Sequence, residues 1–143
     1  MKKILNHLFE HKCLSREQAK DVLLNISKRV YSDAEIAAFI TVYLMRSITV
    51  DELQGFRDAL LELCVPVDLN GYEVMDIVGT GGDGKNTFNI STLSCFIVAG
   101  TGNKVAKHGN YGASSISGSS NVMEQLGYQF KSGTDALKRE LEE

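Results

Sequence analysis

This chain has few cysteines, no excess of positive charge and no long apolar run. Its 143 residues include three cysteines, Cys13, Cys64 and Cys95. Their odd number, wide spacing and apolar or helical surroundings predict buried, reduced thiols rather than a disulfide or zinc framework. The formal net charge is −3, which leaves no basic face to neutralise a nucleic-acid backbone. We therefore expect no nucleic-acid partner.

The sequence also lacks the signals of a membrane or secreted protein. No apolar stretch approaches the length of about 18 residues that would cross a bilayer. The amino terminus, Met1 to His7, lacks the uninterrupted apolar core of a signal peptide. We therefore expect a cytoplasmic protein without a membrane partner.

The character of the sequence changes near Pro66, the only proline. Before it, apolar residues recur at helical spacing in four segments. Three of these segments open with a Ser or Thr followed three residues later by Gln or Glu, which is the capping-box pattern. The pairs are Ser15 with Gln18, Ser32 with Glu35, and Thr49 with Glu52. Residues 1–66 are therefore predicted to form an all-helical domain.

After Pro66 the pattern changes to glycine-rich alternation of strands and helices. The order strand, helix, strand predicts a parallel sheet with its ligand loops at the carboxyl ends of the strands. A third strand could begin at Tyr128 to Phe130, and Thr134 could cap a last helix. The predicted elements before these are a strand from Glu73 to Val78, a helix from about Ser91 that Gly100 or Gly102 ends, a strand from Lys104 to Lys107, and a helix from Ser119 to Leu126 that Gly127 ends.

Two glycine-rich loops indicate a phosphate site. They are Asp76 to Asp83, with the sequence DIVGTGGD, and Lys107 to Asn110, with the sequence KHGN. Glycines let backbone N–H groups approach an anion, and a following helix N-terminus adds the positive end of its dipole. Asp83 would repel a phosphate unless a divalent metal lay between them. The predicted ligand is therefore a polyphosphate with Mg²⁺.

Two common nucleotide motifs fit the first loop poorly. The dinucleotide motif needs a helix that opens within the glycines and an acid after the next strand, but here Asn86 to Asn89 intervenes and the next strand ends in Lys107 and His108. The triphosphate loop needs its Lys and a hydroxyl on the first helical turn, whereas Asn86 follows Lys85 and the helix is predicted to begin near Asn89.

Four motifs in order give a more specific interpretation. GTGGD, NIST (Asn89 to Thr92), KHGN and Ser117-Gly-Ser119, at these separations, closely resemble the anthranilate phosphoribosyltransferase family. The resemblance covers essentially the whole chain. Family members are considerably longer, so we interpret the chain as an N-terminal fragment. By the same resemblance, the remainder supplies an acidic pair for a second Mg²⁺ and an Arg that faces the anthranilate carboxylate.

The resemblance implies a fold, an assembly and a reaction. The fold is a helical domain (1–66) followed by part of a parallel-sheet α/β domain (67–143) of the nucleoside phosphorylase and phosphoribosyltransferase type, and the helical domain forms a homodimer. The reaction transfers the phosphoribosyl group from phosphoribosyl pyrophosphate (PRPP) to the amine of anthranilate in tryptophan biosynthesis. Since an aromatic amine is already neutral near pH 7, the site needs positioning and electrostatic stabilisation more than a strong base.

The resemblance also implies roles for individual residues. Ser91 is the expected Mg²⁺ ligand, and Asp83 could touch either the ribose or the metal. Many members have Arg after KHGN, whereas this chain has Tyr111, which leaves the role of a cation there open. The expected PRPP-binding residues are Gly79, Gly82, Asp83, Thr87, Asn89, Ile90, Ser91, Thr92, Lys107 and Ser119, and the expected anthranilate-binding residues are Gly79, His108 and Asn110.

Simpler roles and other functions stay open. Asn89, Ser91 and Ser119 could be helix caps, and His108 could be a structural hydrogen-bonding group. A pyrimidine nucleoside phosphorylase would share the architecture and also act at a ribose C1′. A non-enzymatic paralogue that binds nucleic acid or a protein partner would need a basic surface, which the acidic balance disfavours.

Overall fold

The computed structural model describes residues 1–79, 88–112 and 118–142. The chain forms two compact units, Met1–Pro66 and Val67–Glu143. The first unit is all helical and the second contains a parallel pair of strands with helices, so the predicted fold class is confirmed. Within the described parts of the chain, no helix is both long and apolar enough to cross a membrane.

The helical unit contains four helices, and all three predicted capping boxes are present. In each box the Ser or Thr hydroxyl accepts a hydrogen bond from the backbone N–H three residues later, and the Glu or Gln side chain accepts one in return. A cap of this kind stabilises a helix by about 1 kcal/mol. The helices are α1 (Lys2–Phe9), α2 (Arg16–Ser27), α3 (Asp33–Met45) and α4 (Val50–Leu63).

Helices α2 and α4 pack closely because Gly55 has no side chain. A Cβ at Gly55 would lie 2.2 Å from the carbonyl oxygen of Arg16. Two ion pairs flank this contact, Arg16 with Asp58 at 2.5 Å and Lys20 with Glu62 at 2.6 Å. The apolar core of the unit lies beside it and consists of Leu8, Leu14, Ala19, Val22, Phe39 and Val42.

The carboxylate of Glu52 is fully buried and hydrogen-bonded on all sides. It accepts bonds from the backbone N–H groups of Leu14 and Thr49, both at 3.0 Å, and from the Tyr43 hydroxyl at 3.2 Å. The Arg46 guanidinium donates to both carboxylate oxygens, at 3.0 and 2.5 Å. Burial raises the pKa of Glu52, but the bonds from Arg46, Leu14 and Thr49 outweigh it and lower the pKa to about 2. Glu52 therefore joins α4 to the start of α2 and the end of α3.

The α/β unit is built around two short parallel strands. Strand β1 (Val74–Met75) pairs with β2 (Lys104–Val105) in the register Val74 to Lys104 and Met75 to Val105. Helix α5 (Ile90–Gly100) lies between the strands in sequence, as the strand, helix, strand pattern predicts. Helices α6 (Ser119–Gln125) and α7 (Thr134–Glu140) follow.

Three expectations about this unit need correction. The strands have two residues each, because beyond the Ala106 N–H bond to the Met75 carbonyl (3.0 Å) the chain enters the loops. Tyr128 to Phe130 forms no strand, because the Tyr128 N–H bonds back to the Met123 carbonyl and its ring packs on Phe130. Thr134 is the first residue of α7, and Gly133 takes the cap position at φ 92°.

The predictions for the helix-ending glycines are confirmed, and those for the cysteines are confirmed only in part. Gly100 is the last residue of α5 and Gly102 takes the left-handed conformation after it, while Gly127 does the same after α6. The cysteines are free, but the prediction of burial is wrong for Cys13 and Cys64, which are exposed. Cys13 lies in the segment between α1 and α2, and Cys64 is the C-cap residue of α4, so neither lies on the apolar faces that form the core.

We expect acid to destabilise the helical unit through Glu52. A carboxyl whose pKa is lowered by folding contributes stability that is complete above its unfolded pKa and is lost as the pH falls. The contribution should therefore disappear between about pH 4.5 and pH 2, and the pKa difference corresponds to about 3 kcal/mol. Urea unfolding followed by circular dichroism at pH 7, 4 and 3 measures it.

Glu52→Gln tests the assignment to this residue. The variant should be less stable at pH 7, because Arg46 is left without its anion, and should lose much of the acid dependence. Glu62→Gln, which removes an exposed carboxylate from the same helix, is the matched control. An unchanged acid dependence in Glu52→Gln would contradict the assignment.

Candidate functional site

The candidate site lies where the carboxyl ends of β1 and β2 meet the N-termini of α5 and α6. Because the strands are parallel, the loops that follow them leave the same edge of the sheet. Residues 76–79 of the first loop are described, and the described part of the chain resumes at residue 88. Gly82, Asp83 and Thr87 of the predicted set lie outside the described residues.

Gly79 lies directly against Ser91 at the start of α5. A Cβ at position 79 would lie 2.8 Å from the Ser91 hydroxyl oxygen, so only glycine fits without a shift. Asn89 is the helix cap, since its side chain accepts a hydrogen bond from the Thr92 N–H at 3.1 Å. Of the two caps predicted, Asn89 therefore takes the role and the Ser91 hydroxyl stays beside the glycine loop.

Thr92 connects α5 to α6. It is buried, and its hydroxyl donates a hydrogen bond to the Ser119 hydroxyl at 3.1 Å. Ser119 in turn lies beside Gly109 of the KHGN loop, where a Cβ would come within 3.3 Å of the Ser119 Cβ. The Ile90 side chain, by contrast, is exposed, so Ile90 contributes its backbone rather than its side chain to the N-terminus of α5.

Side chains from the second loop hold it against the first. The Lys107 ammonium is half-buried and donates to the carbonyl oxygen of Ile77 at 2.7 Å. The next residue, His108, places Nδ1 3.2 Å from a carboxylate oxygen of Asp76. Asp76 is not among the predicted site residues, because the sequence places it inside the predicted strand Glu73 to Val78, whereas in the structure it follows the two-residue strand β1.

The end of the KHGN loop is anchored to α6. The Tyr111 hydroxyl donates to Glu124 at 2.6 Å, and this bond raises the pKa of Tyr111. The Gly112 N–H donates to the Asn121 side chain at 2.9 Å. Asn110 is exposed and its side-chain oxygen accepts from the Tyr111 N–H at 2.8 Å. Where family members often carry Arg, this chain thus has a tyrosine that fixes the loop to a helix.

These contacts bring together the described members of the predicted site. Gly79 touches Ser91, Thr92 bonds to Ser119, Ser119 lies beside Gly109, and Lys107 reaches the first loop. Two helix N-termini and a lysine favour a bound anion. In the described ranges, no group of three or more His, Cys, Asp or Glu side chains is placed to hold a metal ion.

Comparison with known proteins identifies the family of both units. Residues 2–64 match the helical bundle domain of a glycosyl transferase family, and residues 71–143 match the α/β domain of the glycosyl transferase family. The two matches agree with the change from helical to α/β structure at Pro66.

Named relatives support the assignment of the chain to the same family. An anthranilate phosphoribosyltransferase of Bacteroides fragilis is 62% identical over 142 residues, which is 99% of this chain and 43% of that protein. One from Christiangramia forsetii is 61% identical over 139 residues, 97% of this chain and 42% of that protein. The chain thus spans less than half the length of the curated relatives that it matches.

A solved structure has the same fold. The anthranilate phosphoribosyltransferase of Thermus thermophilus matches with a TM-score of 0.77 and 32% identity, over 91% of this chain and 40% of that one. The resemblance inferred from the four motifs is confirmed, and the chain belongs to the glycosyl transferase family.

Proposed function

We propose that the complete product of the gene that encodes this chain transfers the phosphoribosyl group of PRPP to anthranilate, with release of pyrophosphate, as a step of tryptophan biosynthesis. The observation that carries the proposal is the identity of about 60% to proteins named anthranilate phosphoribosyltransferase over nearly the whole chain. The site geometry supports it, because Gly79, Ser91, Thr92, Lys107 and Ser119, the described motif residues, lie along one edge of the sheet. This chain supplies the PRPP-binding wall.

The diphosphate of PRPP is proposed to lie between the N-termini of α5 and α6. The N–H groups of Ile90 and Thr92 in α5 already bond to Phe88 and Asn89. The anion would therefore gain from the helix dipole and from the N–H groups that remain in the first turn. Lys107 uses one of its ammonium hydrogens on Ile77 and retains two for phosphate oxygens. Ser119 adds a hydroxyl at the same place.

The Ser91 hydroxyl fits the role of a Mg²⁺ ligand. Mg²⁺ binds through hard oxygen atoms, and at phosphate sites it commonly takes one or two protein ligands together with substrate phosphates and water. The contact between the Ser91 hydroxyl and Gly79, the first glycine of the GTGGD motif, supports this role. When bound, the ion neutralises charge on the diphosphate.

The reaction requires stabilisation of charge more than a strong base. The bond between the ribose C1′ and the pyrophosphate oxygen breaks, and its electron pair leaves on the pyrophosphate. Lys107 and the helix N-termini are proposed to stabilise this charge. Gly79, His108 and Asn110 are proposed to line the anthranilate end and to hold the neutral amine toward C1′.

The proposed assembly is a homodimer formed through the helical unit, in the cytoplasm. Support for an interface comes from large apolar side chains that the unit exposes. Leu44, Met45 and Val65 are each more than 80% exposed. Contiguous exposed apolar surface favours association, and Leu44 and Met45 are neighbours at the end of α3.

The complete gene product should consume anthranilate only when PRPP and Mg²⁺ are both present. Loss of anthranilate fluorescence measures the rate, and chromatography identifies the product as phosphoribosyl anthranilate. Thymidine or uridine with phosphate forms a parallel assay, because phosphorolysis there without anthranilate turnover would contradict the proposal in favour of a nucleoside phosphorylase.

Ser91→Ala should weaken PRPP binding mainly when Mg²⁺ is present. Loss of a hydrogen bond or ligand to a charged group costs about 1.5 to 3 kcal/mol, which corresponds to roughly 10- to 150-fold in affinity. Titration calorimetry of the complete gene product with PRPP, in Mg²⁺ and in EDTA, measures the difference.

Ser94→Ala is the matched control, because the Ser94 hydroxyl bonds to the Ile90 carbonyl within the same helix. It should bind PRPP as the unaltered protein does. Equal losses in the two variants, or equal losses with and without Mg²⁺ in Ser91→Ala, would remove Ser91 from the metal site.

A further inference from the structure

Asp76 and His108 join the two loops at the edge of the candidate site. Asp76 directly follows β1, and His108 lies in the loop after β2. His108 Nδ1 lies 3.2 Å from Asp76 Oδ2. We propose that Asp76 is a positioning residue that keeps a proton on Nδ1 of His108, so that Nε2 accepts a hydrogen bond from the amine of the aromatic acceptor.

The chemistry of the two side chains fixes the direction of the bond. An ionised carboxylate only accepts hydrogen bonds, so the ring nitrogen that faces it carries the hydrogen. In a neutral imidazole the other nitrogen, Nε2, is then an acceptor. An aromatic amine offers two N–H donors, whereas a carboxylate substituent offers only acceptors. The held tautomer therefore suits the amine end of the acceptor.

The backbone of both loops is tied down where this pair forms. Met75 and Val105 are paired in the sheet, and the Ala106 N–H extends the pairing to the Met75 carbonyl. Two residues beyond Met75 and Val105, Lys107 Nζ donates to the Ile77 carbonyl. Two adjacent cross-loop contacts thus hold the backbone next to His108 against the first loop.

The exposure of the pair makes the proposal testable without unfolding the protein. The His108 side chain is 78% exposed and that of Asp76 is 50% exposed. An ion pair at such exposure contributes little to stability. Loss of activity in an Asp76 variant would therefore reflect a change at the site rather than a loss of stability. The inference rests on the proposed function, because it requires an amine as acceptor.

The test is a double-mutant cycle in the complete gene product. Asp76→Ala should lower kcat/KM for anthranilate by about tenfold, the lower end of what loss of a partner that orients a metal-bound histidine causes, and should change the KM for PRPP by less than about twofold. In a His108→Ala background the same substitution should lower kcat/KM by less than about twofold, because its effect passes through His108. Asp135→Ala, at an exposed position of α7, is the control and should match the unaltered protein.

A purely structural role for Asp76 gives a different pattern. Distortion of the loops would weaken PRPP and anthranilate together and would persist in the His108→Ala background. Either result would overturn the proposal.

Nitrogen NMR of histidine-labelled protein tests the tautomer directly. The His108 signal is assigned by its absence in His108→Ala and is read at a pH where the ring is neutral. The expected form is Nδ1–H in the unaltered protein, with loss of that preference in Asp76→Ala. An Nε2–H form in the unaltered protein would overturn the proposal. If the gene product forms no phosphoribosyl anthranilate, the proposed function fails, and this spectrum alone decides whether Asp76 holds the ring.

Discussion

The parallel pairing of β1 with β2 determines where every loop of the candidate site lies. The paired segments have only two residues each, yet their register places Asp76 and Ala106 side by side as the chain leaves the sheet. Since the strands point the same way, the glycine loop and the KHGN loop emerge at one edge. The contacts from Lys107 to Ile77 and from His108 to Asp76 follow from that register.

Close contacts at two glycines give this edge its shape. Gly79 abuts the Ser91 hydroxyl, and a Cβ at Gly118 would lie 2.1 Å from the Gly112 nitrogen. A Cβ at Gly118 would push the end of the KHGN loop away from α6, whereas a Cβ at Gly79 would displace the Ser91 hydroxyl. The glycines therefore matter here for the space that they leave, and the same absence of side chains opens backbone N–H groups to a phosphate.

Local patterns were the most predictable part of the fold. The capping boxes at Ser15, Ser32 and Thr49 depend on residues three positions apart, so the sequence shows them directly. Strand lengths were overestimated because apolar runs such as Glu73 to Val78 continue past the point at which a partner strand is available. Tyr128 to Phe130 resembles a strand, but an aromatic contact and a bond to the preceding helix fix it instead.

Longer-range contacts at the site were beyond sequence reasoning. Ser119, Thr92 and Lys107 were predicted as ligand residues from motif positions, but their partners are set by the packing of α5 and α6. Glu124 and Asn121 carry no motif signal, and their role as anchors of the KHGN loop appears only in three dimensions. The interaction of Tyr111 with Glu124 shows how the loop end is held without the arginine common in the family.

A crystal structure of the complete gene product with PRPP and Mg²⁺ would show whether this edge is a preformed wall for the diphosphate of PRPP. We expect diphosphate oxygens within hydrogen-bond distance of Lys107 Nζ and Ser119 Oγ, with Ser91 Oγ next to the metal ion. A diphosphate bound away from the N-termini of α5 and α6 would contradict it.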